Sequence, residues 1–580
     1  EVVAADSSTA ANKEIKTGTS EIIGVTIALL VLLLAFGTLV AALVPIFVAL
    51  ISVATGLGVI GLLGHVVDVP KQASIMATMI GIGVGIDYAL FLISRHRRLL
   101  ADGVPIPEAI RRTCATSGGA VLFAGGTVVI ALSAMLGAGF PMLATLGWMT
   151  GISVVAAVLT SLTLVPALLG LLGPRIDALR LPVVGRLRTG GERTATGWVR
   201  LGSWVARRPW RVLVLAVALL AALAAPALEL RLGTQDNGYA EQGTAARRAY
   251  ELMREGFGPG SNGPLLVVAE LERRTTDPAD PVVQELQRQV AAVDGVVSVT
   301  PARLNDSGTA VLFQAIPAYA PSDERTPDVV ARVRALHVPG AEVHVGGLVA
   351  GLTDAFDRIA ERTPLVIGIV VLLSALLLLL AFRAPVVAVK AAVMNLVSLG
   401  AAFGALALVF SIGLGSRLVG MDPPPHVDAS EFAFTVPIDS YVPLILFAVL
   451  FGLSMDYEVF LLTAVRQAYH RSGDNRRAVA DGLGATGRVI TSAALIMVAV
   501  FVAFIAYPDP LIKVFGVGLA VAIAVDATII RGLLVPSTMV LLDRANWWCP
   551  RWLDRLLPDL SVEGRDAEDD AAAPREPARV

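Results

Sequence analysis

The 580-residue chain is 55% hydrophobic and only 16% charged, with a mean hydropathy of +0.72. Soluble globular chains carry roughly 25% charged residues, so a purely soluble globule is excluded. A formal net charge of −2 argues against a polyanionic partner such as nucleic acid.

The apolar residues fall in long runs. About 20 of them cross a bilayer as a helix, and lipid admits only helices or closed barrels. The runs predict eleven crossings, near 22–38, 43–63, 73–94, 118–138, 143–171, 211–228, 363–382, 387–413, 440–464, 489–507 and 512–542. In chain order, 1–20 reads as the end of a first extracytoplasmic domain. Residues 21–173 form a bundle of five helices, 174–210 a basic cytoplasmic linker and 211–229 a further helix. A second extracytoplasmic domain follows at 230–362, then another five-helix bundle at 363–543. Residues 544–580 read as a cytoplasmic interfacial helix carrying Trp547, Trp548 and Trp552, followed by an acidic, Ala/Pro-rich tail.

Charge sets the expected orientation. Segment 174–209 holds eight Arg against two acidic residues. Arg95, Arg97, Arg98, Arg111 and Arg112 follow the third crossing, and Arg466, Arg471, Arg476 and Arg477 the ninth, whereas the alternate short loops have almost no positive charge. The basic loops are therefore expected inside, with the C-terminus, in a cell membrane. Within 230–362 the patterns predict strands at Gly263–Leu271, Val296–Thr300, Ala310–Ala315 and Ala341–Gly346, with helices at Pro281–Val293 and Thr326–Leu336. That βαββαβ order resembles a ferredoxin-like α+β unit. Segment 414–438 gives no reading.

An internal repeat runs through the chain. Gly83–Ser94 (GVGIDYALFLIS) reappears in the second half as Gly452–Thr463 (GLSMDYEVFLLT). Gly118 and Gly487 keep the same offset, and Leu-Val-Pro166 and Leu-Val-Pro536 keep nearly the same one. Both Asp-Tyr elements precede basic loops, so the halves are parallel repeats about an axis along the membrane normal. By that symmetry a helix and an outer domain are expected before residue 22. The chain is read as beginning after them, with twelve helices in the complete protein.

Asp87 and Asp456 lie inside apolar spans, where a carboxylate costs at least about 2.5–3.5 kcal/mol and is a functional candidate by default. Equivalent positions in two halves strengthen the case, and Tyr88 and Tyr457 supply phenols that donate to a carboxylate. Gly81, Gly83 and Gly85, with Gly452 and Ser454, permit close helix approach. Glu458 falls on another face of its helix, as an auxiliary member of a polar network or hydrated cavity. Asp526, with Arg531 on the same helix and no acidic counterpart near Ala156, reads as a structural ion pair.

The Gly-x-x-x-Asp-Tyr-x-x-Phe-Leu element in both halves resembles MmpL-type transporters of the RND superfamily, and the segment beginning Asn546-Trp-Trp-Cys-Pro resembles the cytoplasmic end of actinobacterial members. The resemblance implies export of lipids, glycolipids or other hydrophobic compounds, driven by protons passing through Asp87, Tyr88, Asp456 and Tyr457. It implies no cofactor beyond the coupling proton and no catalysis. The expected partners are a lipid or hydrophobic small molecule and the membrane. Homo-oligomers and accessory cell-envelope proteins stay open. A lipid-sensing regulator built on a sterol-sensing-like bundle (roughly 22–171), or a protein-export facilitator, are the alternatives.

Other chemistries lack their residues. No Gly-x-x-x-x-Gly-Lys-Ser/Thr loop is present. His65, His96, His337, His344, His426 and His470 are scattered and read as surface or loop residues, so no metal site is expected. Cys114 and Cys549 both fall at expected cytoplasmic ends and suggest no disulfide framework.

Overall fold

The computed structural model describes residues 26–179, 191–428 and 431–557. The expected domain remnant at 1–20 and the tail beyond 557 lie outside the described residues. Among these, ten helices are long and apolar enough to cross a membrane. They are Leu39–Leu63, Gln72–Ala101, Ile106–Ala138, Pro141–Asp177, Pro209–Glu229, Leu348–Phe382, Pro385–Ser411, Val442–Ser472, Asn475–Phe504 and Pro510–Trp547. The eleventh expected span is described as the shorter apolar helix Thr26–Phe36. The chain is a multi-pass membrane protein.

Polarity sorts these helices. In the helices bearing Asp87 and Asp456, 89% and 83% of an 18-residue apolar stretch is buried inside the molecule, whereas the figure is only 17% in Pro209–Glu229 and 28% in Leu348–Phe382. Apolar faces without protein partners suit lipid; helices with carboxylates go to the centre. The repeat is visible in bonds as well as sequence. Arg97 donates to the Phe36 carbonyl (3.1 Å), and Arg466, its counterpart in the second half, donates to the Phe382 carbonyl (3.3 Å).

Small residues seat the central helices. A Cβ added at Gly452 would lie 2.7 Å from the Val128 backbone, and one at Gly85 3.1 Å from the Ala49 backbone. At Gly81 it would meet the Ser153 hydroxyl at 2.5 Å. Gly83 departs from the expectation. Its nearest neighbour would be the Phe501 ring at 3.5 Å, an ordinary contact, so no close backbone approach depends on it.

Between Pro209–Glu229 and Leu348–Phe382 stands an α+β domain, entered through the short strand β1 (Leu232–Gly233). Its strands β2 (Leu265–Leu271), β3 (Val296–Val299), β5 (Ala310–Pro317) and β6 (Ala341–Gly346) lie in the order β3-β5-β2-β6, each neighbouring pair antiparallel, with the short β4 (Arg303–Leu304) on β5. Helices Pro281–Ala291 and Thr326–Arg334 separate them in the expected succession. Alternate residues Leu265, Val267 and Ala269 of β2 and Val311, Phe313 and Ala315 of β5 point into the core, under Val283, Leu286 and Val290 of one helix and Val329, Val330 and Val333 of the other. Period-two burial on strands against a helical stripe is what gives this layer its single core.

Three regions read differently from the sequence. The segment 174–210 is not merely a linker: it contains the helix Gly191–Arg207, whose Trp198 packs over Gly487 and whose Gly202 abuts Ala480. His96 is not a surface residue but fully buried in the Asp87 helix. The 414–438 segment is pinned by carbonyls: Pro423 accepts from Arg247 (3.0 Å), Pro425 from Arg254 and Val419 from Lys513 (both 2.9 Å). It ends in β7 (Ile438–Asp439), parallel to β1. Near the C-terminus, the short helix Arg551–Leu556 is held by Arg383 on the Asp554 side chain and carbonyl, leaving Trp548 and Trp552 exposed.

Candidate functional site

Consecutive residues on an α-helix are turned about 100° apart. A tyrosine next to an aspartate therefore points away from it, and in this bundle it reaches the aspartate of the other half. Tyr457 Oη donates to Asp87 Oδ2 at 2.6 Å, and Tyr88 Oη to Asp456 Oδ2 at 3.4 Å. The first distance is that of a charge-assisted O–H···O bond; the second is longer than the usual range. The crossing joins all four residues into one quartet at the pseudo-axis, with Asp87 8% and Tyr88 3% exposed.

Arg531 adjoins the quartet. Its guanidinium lies 4.7 Å from the Tyr457 ring centroid, pairs with Asp526 at 2.5 Å and donates to the Ser454 carbonyl. The ion pair read from the sequence is present, but it reaches the quartet as well as holding the fold. Its spacing has a structural cause. Residues five apart diverge on an α-helix, whereas the wide π-helical stretch Asp526–Leu534 brings them onto one face. Ser454 does more than permit close approach: its hydroxyl lies 2.8 Å from Asn395 Oδ1 and 3.0 Å from Asp526 Oδ2. Glu458 is buried away from the cavity and interacts through space with Lys390, itself buried.

Among the described residues this polar layer belongs to the second half. With Phe36 opposite Phe382 and Asp87 opposite Asp456, the counterparts of Lys390, Asn395 and Ser454 are Val44, Ala49 and Gly85. That of Glu458 is Ala89, and Asp526 and Arg531 fall against the stretch from Ala156 to Leu162, which holds no charged residue. Sequence reading missed Lys390, Asn395 and the second role of Arg531. A lysine inside an apolar run was the available signal for Lys390.

A cavity of about 340 Å³ opens on the quartet. Along both aspartate helices its lining begins at the aspartate and runs only C-terminally, through Phe91, Ser94, Arg95 and Arg98 on one and Phe460, Thr463 and Gln467 on the other. It therefore faces the arginine-rich end. Phe91 and Phe460, equivalent positions of the two repeats, meet edge-to-face with centroids 4.9 Å apart. N-terminal to the aspartates, Met79, Ile80, Phe447 and Phe451 are buried to 2% exposure or less and close the bundle.

A second cavity, about 1280 Å³, lies at the base of the α+β domain, lined by residues 230–237, Tyr239, Tyr250, Tyr319, Phe356 and His426 among others. Asp236 organises its wall, accepting from Tyr250 Oη (3.1 Å) and from the backbone N–H groups of Ser322 (3.2 Å) and Gly238 (2.8 Å). Burial first, and the Asp236 charge second, push the Tyr250 phenol up, so it remains a neutral donor.

A sequence model of the MMPL family matches residues 2–212, 238–421 and 429–557. The chain belongs to the MMPL family. This MMPL chain is 34% identical over 548 residues to the membrane protein YdfJ of Bacillus subtilis (strain 168), covering 94% of the chain and 73% of that relative. To the mycolic acid-containing lipids exporter MmpL11 of Mycolicibacterium smegmatis it is 35% identical over 545 residues, covering 93% of the chain but only 56% of the relative. A crystal structure of SecDF, in its super-membrane-facing form, superposes with a TM-score of 0.53 at 15% identity, covering 93% of this chain and 62% of that one. That likeness concerns the fold. The family expected from the paired Gly-x-x-x-Asp-Tyr elements is thus the one found.

Proposed function

We propose that the chain forms the membrane core of an exporter of lipids or other hydrophobic compounds, driven by protons moving through the Asp87/Tyr457 and Asp456/Tyr88 pairs. The observation that carries this reading is the crossing: each phenol serves the carboxylate of the opposite half. Protonating one aspartate removes the charge that its tyrosine partner binds, and so weakens a bond between the two repeats. A proton crossing the full membrane potential releases about 2.3 kcal/mol per 100 mV, comparable with one charge-assisted hydrogen bond of about 1.5–3 kcal/mol. Proton movement thus has the right scale to rock one half against the other. No further cofactor enters the scheme.

The arginine-rich end is taken as cytoplasmic, so the 340 Å³ cavity gives the quartet access from inside, past Phe91 and Phe460. The packed Met79, Ile80, Phe447 and Phe451 on the other side close it in this conformation. The larger cavity below the α+β domain then faces outward and offers mixed polar and aromatic walls suited to an amphiphile. The named cargo of the Mycolicibacterium smegmatis MmpL11 supports a lipid class. A lipid sensor has no use for a crossed pair spanning both halves, and the likeness to SecDF is of fold only.

The test is gradient-dependent efflux by the full-length protein in inverted vesicles, against a panel of acyl lipids and hydrophobic drugs. Loss of gradient-dependent movement in both Asp87→Asn and Asp456→Asn is expected. Normal transport by either variant refutes the relay; lipid binding with no gradient-dependent movement favours the sensor.

A further inference from the structure

At the end of the bundle away from the arginine-rich loops, the chain makes a small joint that the transport scheme does not use. Strand β1 continues from the Pro209–Glu229 helix, and β7 leads almost directly into the Asp456 helix, Val442–Ser472. The two strands pair in parallel, Leu232 with Ile438 and Gly233 with Asp439, and Ile438 N–H donates to the Arg231 carbonyl at 3.0 Å. Residues 230–237, Tyr239 and Pro437 also line the 1280 Å³ cavity. The joint therefore sits between that cavity and the helix bearing Asp456.

Asp439 is 8% exposed at its centre. One carboxylate oxygen accepts from the Gln235 backbone N–H (3.1 Å) and the other from Tyr441 Oη (3.3 Å), while Gln235 Nε2 returns to the Pro437 carbonyl (2.9 Å). The titratable groups acting on it are Tyr441 on its own strand end and Asp509 at the start of the Pro510–Val525 helix, and neither is a cation. Lys513, on that same helix, is committed to the carbonyls of Val419 and Ile505. A buried carboxylate with two neutral donors, a like charge nearby and no balancing cation among the described residues is costly in its ionised form.

We propose that Asp439 is a further proton site, on the face opposite the arginine-rich loops, at which proton uptake tightens the β1–β7 joint and ionisation loosens it. The use of this joint in transport rests on the reading above; its response to protons does not. Burial, foremost, and the neighbouring Asp509 push the carboxyl up to about 6, while the Gln235 and Tyr441 bonds pull it down. When the joint opens, Asp439 meets water and returns to about 3.9. Between those values the closed joint holds a proton that the open joint releases. Closure is therefore strongest below about pH 4 and weakens as pH rises through about 6, by roughly 100-fold in the opening equilibrium. A more acidic outer compartment would lock the cavity base to the Asp456 helix, and discharge of the proton would free it.

Hydrogen exchange of the purified full-length protein in nanodiscs tests this without any transport assay. After correction for intrinsic exchange, protection of the 230–239 and 436–440 amides is expected to fall by roughly 50- to 100-fold from pH 4 to pH 7.5. Asp439→Asn, of equal size and permanently neutral, should stay protected across the range. Asp509→Asn keeps the helix cap on Leu511 N–H but removes the like charge, so the midpoint should move to lower pH; Tyr441→Phe should move it higher. A flat wild-type profile, or an unchanged slope in Asp439→Asn, overturns the proposal. So does a midpoint that ignores both Asp509→Asn and Tyr441→Phe. Since efflux is not measured, failure here leaves the proton relay standing, and failure of the relay leaves this result standing.

Discussion

The two crossed bonds are unequal, and the difference predicts unequal mutants. Tyr457→Phe deletes a 2.6 Å bond to a buried carboxylate, whereas Tyr88→Phe deletes one stretched to 3.4 Å. A hydrogen bond to a charged group contributes about 1.5–3 kcal/mol, and about 1.4 kcal/mol is tenfold. Removing the Tyr457 hydroxyl should therefore slow the step that ionises Asp87 roughly 10- to 150-fold. The Tyr88 bond, beyond the normal length, contributes less than about 1 kcal/mol, so its loss should cost at most about fivefold. Tyr457 also carries the Arg531 guanidinium on its ring, a contact that phenylalanine retains, which confines the comparison to the hydroxyl. Gradient-driven efflux in proteoliposomes, normalised to inserted protein, reads both variants. Equal losses, or a larger loss in Tyr88→Phe, would mean that the distances in this conformation do not represent the rate-limiting state, and the argument from asymmetry would fail.

The aspartate helices also make opposite predictions at neighbouring glycines. Gly452→Ala drives a Cβ to within 2.7 Å of the Val128 backbone and should destabilise by about 1–3 kcal/mol. Gly83→Ala meets only the Phe501 ring at 3.5 Å and should be neutral or stabilising by up to about 1 kcal/mol through helix propensity; thermal unfolding in detergent separates them. Arg531→Met leaves Asp526 buried without its partner and should cost about 3–5 kcal/mol. The double variant Asp526→Leu/Arg531→Met should regain most of that stability but not efflux, because Tyr457 has lost the cation on its ring. Recovery of both would reduce Arg531 to a structural role.

What the sequence disclosed follows from which interactions are local. Spans were legible because lipid imposes one rule on every residue of a helix, and the α+β domain because its alternation and turns are short-range. Asp87 and Asp456 were legible because a charge in an apolar run is improbable, and because the repeat states it twice. The crossing was not legible. Asp-Tyr in one helix says nothing about whose phenol reaches which carboxylate, which depends on how two helices from opposite halves of the chain are turned toward each other. The β1–β7 joint escaped for the same reason: such short strands have no periodicity, and Asp439 looks like any loop acid until Gly233 is placed beside it.

The one-sided polar layer turns the repeat into an argument about mechanism. Two carboxylates in identical surroundings would bind protons equivalently, and a cycle needs them to differ at each moment. Here the asymmetry is built into the chemistry beside them. Arg531, paired with Asp526 and propped by Ser454, places a cation on the Tyr457 ring, where its charge acts on both Asp87 and Asp456 but comes from the second half. Across the equivalent stretch the first half has no charge from Ala156 to Leu162, and Gly85 stands in place of Ser454. Lys390 and Glu458 add a further buried couple where the first half has Val44 and Ala89. The shared Asp-Tyr motif therefore supplies two proton sites, and the unshared residues distinguish them.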